Sequence, residues 1–252
     1  HRSMASTEPA GTAARVDARW RPLVVLWAIP TIAGTATVTA QGGSRGVLVG
    51  VAAGCVVALA AIRAALVDAE ARGGSEPLTA ATALTVARAS VITLLGASLV
   101  AGPSAGLHPW FAGATFAVAA GGDAVDGAVA RARDAVTTLG GSLDAEVDGA
   151  TVLVGATVAV AAETAVTAFL VVGLARPVFS LARRRRRRRG RPTHDLRQSR
   201  LRRPIGAATM VVTWLAVSPV VGTGTSRLLT AVLTILVAAS FTRDWLVVSG
   251  RL

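Results

Sequence analysis

Lysine and tyrosine are missing from this 252-residue chain, whose 26 basic residues are all arginine, and cysteine occurs once. The first two facts read as genome composition bias and carry little chemistry. A single cysteine, Cys55, excludes a disulfide framework within one chain; between Gly54 and Val56 it reads as a small apolar filler. Histidine is confined to His1, His108 and His194, so the nitrogen and sulfur ligands of a zinc site are too few and too scattered. Charge is also scarce. Only 16% of residues are charged against 52% hydrophobic, and mean hydropathy is +0.57, which excludes an ordinary soluble domain and points to a membrane protein.

What the chain does have is long apolar runs. Eight candidate membrane spans can be drawn, at approximately 23–40, 46–66, 78–101, 109–131, 139–161, 164–182, 204–220 and 226–241, each near the roughly 20 residues needed to cross the hydrocarbon core. The predicted fold is an all-α, polytopic transmembrane helix bundle. With a cytoplasmic amino terminus, Arg15, Arg19, Arg21, Arg72, Arg133, the run from Arg183 to Arg189, Arg191, Arg197, Arg200, Arg202, Arg203, Arg243 and Arg251 all fall inside, against Arg45 and Arg227 outside. This asymmetry predicts that both termini face the cytoplasm.

Acidic residues are rare, yet four of the nine aspartates lie between Asp123 and Asp148 inside these apolar runs. A carboxylate near a bilayer centre costs about 2.5–3.5 kcal/mol, so a cation must offset four of them. Helical geometry groups Asp123, Asp126, Ala130 and Arg131 on one face, while Gly140, Asp144 and Asp148 are successive i, i+4 positions. The two helices are joined by a short polar link, from Ala132 to Leu139, which predicts antiparallel neighbours whose acidic faces meet. Oxygen ligands alone suit a hard divalent cation, Mg²⁺ or Mn²⁺. The predicted topology puts this cluster at the cytoplasmic side.

The segment reads D-x-x-D-G-x-x-A-R-x8-G-x-x-x-D-x-x-x-D, and it resembles the signature of the CDP-alcohol phosphotransferases at every fixed position. The resemblance covers approximately residues 78 to 248. It implies an integral membrane enzyme of phospholipid synthesis that transfers a phosphatidyl-type group from a CDP-linked lipid to a small alcohol acceptor, releasing CMP. The chain then divides into a cytoplasmic tail (1–22), an accessory transmembrane helix pair (23–66) and a six-helix catalytic core (78–248) that includes an Arg-rich cytoplasmic loop (183–203). The resemblance also implies a homodimer.

Roles follow residue by residue. Asp123, Asp126, Asp144 and Asp148 are the expected ligands of two metal ions. By resemblance, Asp148 is also the expected general base toward the acceptor hydroxyl. Gly127, Ala130 and Gly140 are small enough to let a cytosine ring and phosphates approach the helix backbones, and Arg131 offers a forked donor to the pyrophosphate. In the third span, Leu84-Thr85-Val86-Ala87-Arg88 resembles the L-T-x-x-R opening of the family's first core helix, with Thr82 standing where asparagine is usual. Arg88 lies deep in that span. It either pairs with an acid of the cluster or, with Thr85, contacts donor or acceptor phosphate.

Three features stand outside the site. Glu146 is about 200° from Asp144 around the helix and points away from that face, and Asp134 belongs to the link. The Arg183 to Arg189 run lacks interleaved aromatics and follows an apolar span, so it reads as a topological anchor on anionic lipid rather than a nucleic-acid site. Gly46, Gly50 and Gly54 form a ridge of small residues that predicts close packing, most simply against the first span. Two other classes of function accommodate buried aspartates: a cation transporter or channel, and an inactive scaffold of the same fold. A glycine-lined pocket with a phosphate-facing arginine speaks against the first, and four intact aspartates against the second.

Overall fold

Alanine, valine and leucine dominate the runs, and in an apolar medium the α-helix satisfies every backbone group within one segment. The computed structural model describes residues 8–40, 45–73, 79–99, 107–132, 137–190 and 202–250. Among them are eight α-helices: α1 (Glu8–Ala40), α2 (Arg45–Ala71), α3 (Ala80–Gly96), α4 (Phe111–Ala132), α5 (Thr138–Ala161), α6 (Leu170–Arg188), α7 (Arg202–Val217) and α8 (Thr223–Val248). No strand occurs among the described residues. The protein is an all-α polytopic bundle.

Each expected span corresponds to a helix, with four boundaries differing by six residues or more: the start of α1, both ends of α6 and the end of α8. α1 begins at Glu8 rather than at residue 23, so the expected tail is helical from there. α6 runs on through Arg188, so the first part of the arginine run extends a helix instead of forming a loop. Its Arg186 reaches across to α8, where Nη2 donates to the Ser249 carbonyl at 3.0 Å. A cation at this carboxyl end complements both the orphan carbonyls and the helix dipole.

Among the described residues, four segments are long and apolar enough to cross a membrane: Arg15–Ala40, Arg45–Ala71, Thr82–Leu99 and Thr223–Val248. α5 has the length, but Asp144, Glu146 and Asp148 interrupt its apolar pattern; α6 is interrupted by Arg176 and the terminal arginines. The charges that spoil these two as simple spans are the ones around which the interior is organised. Outward faces carry Ile32, Val56, Leu181 and Ile235, each about two-thirds exposed (66–70%), as expected where hydrocarbon rather than water is the solvent.

α3 and α5 form the centre, α3 packed on α1, α2, α4 and α5, and α5 also on α2, α4, α6 and α7. Ile92 and Leu95 of α3, Phe116 of α4, and Leu139, Leu143 and Val147 of α5 are buried in one core. Polar anchors fix α1 to it: Trp27 Nε1 donates to Thr93 Oγ1 at 3.2 Å, and Ser90 Oγ donates to the Trp27 carbonyl at 2.9 Å. At the other end of the α1–α2 pair the buried Glu70 carboxylate accepts from Arg15 and Arg19. α2 is tied to α5 through Arg72, which donates to Asp68 and to Ser142.

The glycine ridge of α2 packs against α3, not chiefly against α1 as expected. A Cβ at Gly50 would stand 2.1 Å from the Gly96 carbonyl oxygen, and one at Gly54 2.7 Å from that of Thr93. These are backbone atoms and cannot swing aside. Gly50→Val is therefore expected to force the helices apart and to destabilise the protein by roughly 1–3 kcal/mol or more, read as a lowered unfolding midpoint in detergent; an unchanged midpoint would show that the seam is looser than this.

Candidate functional site

Two threonine caps set the starting level of the site. Thr79 accepts from the Thr82 amide at 3.2 Å at the beginning of α3, and Thr137 accepts from the Gly140 amide at 2.9 Å at the beginning of α5. A side-chain oxygen here satisfies an amide that the helix itself leaves unpaired. These two helix starts are close together: a Cβ at Gly140 would be 2.9 Å from Thr137 Oγ1 and 3.9 Å from Thr82 Oγ1. Gly140, expected in the nucleotide pocket, thus lies in the first turn of α5 beside buried Thr82. The threonine that departs from the family's usual asparagine braces the α3 start through a 3.1 Å contact with Thr79.

Two turns into each helix lies Arg88, whose side chain is only 4% exposed. Nη1 donates to Asp144 Oδ1 at 2.9 Å, Nη2 to Asp148 Oδ1 at 2.7 Å, and Nε to the Ala119 carbonyl of α4 at 2.8 Å. One guanidinium therefore joins α3, α4 and both described aspartates of the motif. The ion pair expected as one reading of Arg88 is present, with both aspartates of α5. Asp144 and Asp148 are one turn apart on α5 and remain partly exposed, at 36% and 26%. Thr85, one turn before Arg88, is buried.

Arg88 can lie across α4 because Gly122 has no side chain; a Cβ there would meet Arg88 Cδ at 2.5 Å and Nε at 2.9 Å. Gly122 immediately precedes Asp123, so the backbone at the start of the acidic motif on α4 is within one side chain's reach of Asp144 and Asp148. Sequence reasoning missed Gly122. The Gly121-Gly122 pair before Asp123 was the available signal, since paired glycines inside a helix weaken it unless something must pass close by. The side chains of Asp123, Asp126, Gly127, Ala130 and Arg131 lie outside the described residues, as does Asp134 altogether.

Among the described residues no three metal-ligating side chains come together. Asp144 and Asp148 supply a pair of carboxylates with no histidine or cysteine beside them among the described residues, a donor set that fits Mg²⁺ or Mn²⁺ better than zinc. Arg88 gives this pair one compensating charge for two. Glu146 is elsewhere, as expected, on the wall of a groove between α2, α5 and α6.

A cavity of about 610 Å³ opens beside Asp148 between α4, α5, α6, α7 and α8. Its polar lining includes Asp148, Arg176, Arg203 and Asp244, and Val152, Met210 and Phe241 contribute apolar walls. Arg176 lies across α5 as Arg88 does across α4: a Cβ at Gly149 would be 2.6 Å from Arg176 Cδ. Neither arginine of this cavity was singled out from the sequence. Arg176 is a lone arginine within an apolar run and Arg203 one of a basic stretch, and neither pattern says whether the side chain anchors to lipid or faces a pocket.

The family model described as CDP-alcohol phosphatidyltransferase matches residues 78–248, from just before α3 to the end of α8. No curated protein and no solved structure matches the chain.

Proposed function

The chain belongs to the CDP-alcohol phosphatidyltransferase family, and from that premise we propose that it transfers a phosphatidyl-type group from a CDP-linked lipid to a small alcohol, releasing CMP, in phospholipid synthesis. The observation that carries this reading is Arg88 drawing Asp144 and Asp148 together against α4 at the turn where the acidic motif begins.

The acceptor hydroxyl gives its proton to Asp148 and its oxygen attacks the phosphorus bearing the lipid; the new oxygen–phosphorus bond replaces the bond to CMP, which departs with the bridging oxygen. Asp148 is suited to the proton transfer because it faces both Arg88 and the large cavity. Arg88 is a positioning residue that fixes the carboxylate orientation. Asp123, Asp126, Asp144 and Asp148 would hold one or two Mg²⁺ or Mn²⁺ ions, which supply charge neutralisation at the pyrophosphate when bound. Gly127, Ala130, Arg131 and Gly140 form the proposed cytidylyl and phosphate surface.

Arg203 in the cavity beside Asp148 favours an acceptor that brings its own anionic group, such as glycerol 3-phosphate or an inositol phosphate, over serine. The arginine distribution supports a plasma-membrane protein with both termini and this site toward the cytoplasm. A homodimer, which family likeness implies, would use a face other than the Gly50–Gly54 seam, since α3 already occupies it.

The test is incubation of purified protein with a CDP-linked lipid, Mg²⁺ or Mn²⁺ and a panel of alcohols, with CMP measured. Release is expected with a phosphorylated acceptor, and chelation is expected to reduce it to background, with recovery on adding back either ion. Release that persists in excess chelator would overturn the metal assignment. No release with any acceptor would overturn the activity.

A further inference from the structure

A second opening lies on the far side of Arg176 from Asp148. It is a groove of about 300 Å³ between α2, α5 and α6, walled by Val56, Val57, Ala60, Ala61 and Ala64 of α2 and Leu153 and Leu181 of the core. Its flanking Val56 and Leu181 are 69% and 66% exposed, so it opens at the membrane-facing surface, midway along α2. α2 precedes the family-matched region, so this wall lies outside the part of the chain that the family model covers.

The groove and the cavity share two residues, Gly149 and Arg176. Arg176 crosses between them over the bare backbone of Gly149, and its buried Nε has no hydrogen-bond partner among the described residues. A buried guanidinium nitrogen without an acceptor is costly unless a ligand supplies one. Polarity distinguishes the two sides. The cavity side adds Arg203, Asp148 and Asp244, whereas the groove side adds Glu146 to walls made mostly of alanine, valine and leucine. A molecule spanning both would place phosphate toward Asp148 and hydrocarbon in the groove.

We propose that this groove receives one hydrocarbon chain of the CDP-linked lipid donor, with Arg176 at the junction hydrogen-bonded to the donor's lipid phosphate, so that accessory helix α2 helps select the donor. The proposal rests on the transfer activity set out above. Burial of methylenes against α2 contributes affinity that a short-chain donor cannot collect.

Ala60 is exposed at the groove wall, so Ala60→Phe narrows the groove without entering the core. The ratio of kcat/KM for a long-chain to a short-chain CDP-lipid is expected to fall roughly tenfold, as for about two methylenes expelled. Val49→Phe, on an exposed part of the same helix outside the groove, serves as control and is expected to keep the parental ratio. An Ala60→Phe ratio equal to the parent's overturns the proposal.

A second measurement does not depend on turnover. A CDP-lipid carrying a diazirine in one chain is photolysed with the parent protein, and adducts are mapped. Adducts between Val56 and Ala64 that plain phosphatidylglycerol carrying the same diazirine does not give are the expected result. Adducts elsewhere, alongside normal CMP release, would sink the groove and spare the activity. Equal labelling by both lipids would mark a site for bulk lipid and refute donor binding. Donor-specific adducts there without CMP release from any acceptor would keep the groove and refute the activity.

Discussion

Asp148→Asn is expected to lower CMP release by roughly 10²–10⁴-fold, the contribution typical of a positioned general base, while the protein folds and retains divalent-cation binding. The fold should survive because asparagine keeps an Oδ1 where Arg88 Nη2 now donates at 2.7 Å, so that buried guanidinium keeps an acceptor. What is lost is the capacity to accept a proton. Initial rates of CMP release, paired with an unfolding midpoint in detergent, separate these two effects. A variant with parental rate removes Asp148 from the proton transfer, and one that is inactive because it no longer folds makes the residue structural.

Arg88→Ala is expected to impair both stability and rate. The substitution removes the donor to the Ala119 carbonyl and the cation between Asp144 and Asp148, leaving two like charges a turn apart. Breaking a buried pair in this way costs about 3 kcal/mol, the low end of the usual range because both acids are partly exposed. Loss of carboxylate orientation should slow transfer by about 10²-fold in addition. Arg88→Lys discriminates positioning from mere charge balance: it restores one positive charge but not a fork that bonds three acceptors. It should recover more of the unfolding midpoint than of the rate. Parental rates in Arg88→Ala would show that the acids are oriented by something else.

The helices were legible because apolar composition over about 20 residues is a strong signal that tertiary context rarely reverses. Their ends were less so. The helical content before Leu23 and through Arg188 depends on partners far along the chain, Glu70 for Arg19 and the Ser249 carbonyl for Arg186. At the site, i, i+4 spacing correctly put Asp144 and Asp148 on one face and Glu146 on another. Arg88 was recognisable as unusual for its depth, but spacing within one helix cannot say which neighbouring helix it meets. Gly122, Gly149, Arg176 and Arg203 were missed for the same reason: each acquires its role from a contact between helices, and no local pattern records that.

The family match begins at residue 78, yet the α2–α3 seam crosses that point with less room than a methyl group between Gly50 and Gly96. Homology and mechanics therefore draw different borders. A fragment cut at the homology border would bare the Gly96 notch and strand Ser142 without Arg72, so it should be less stable than a chain that keeps α2.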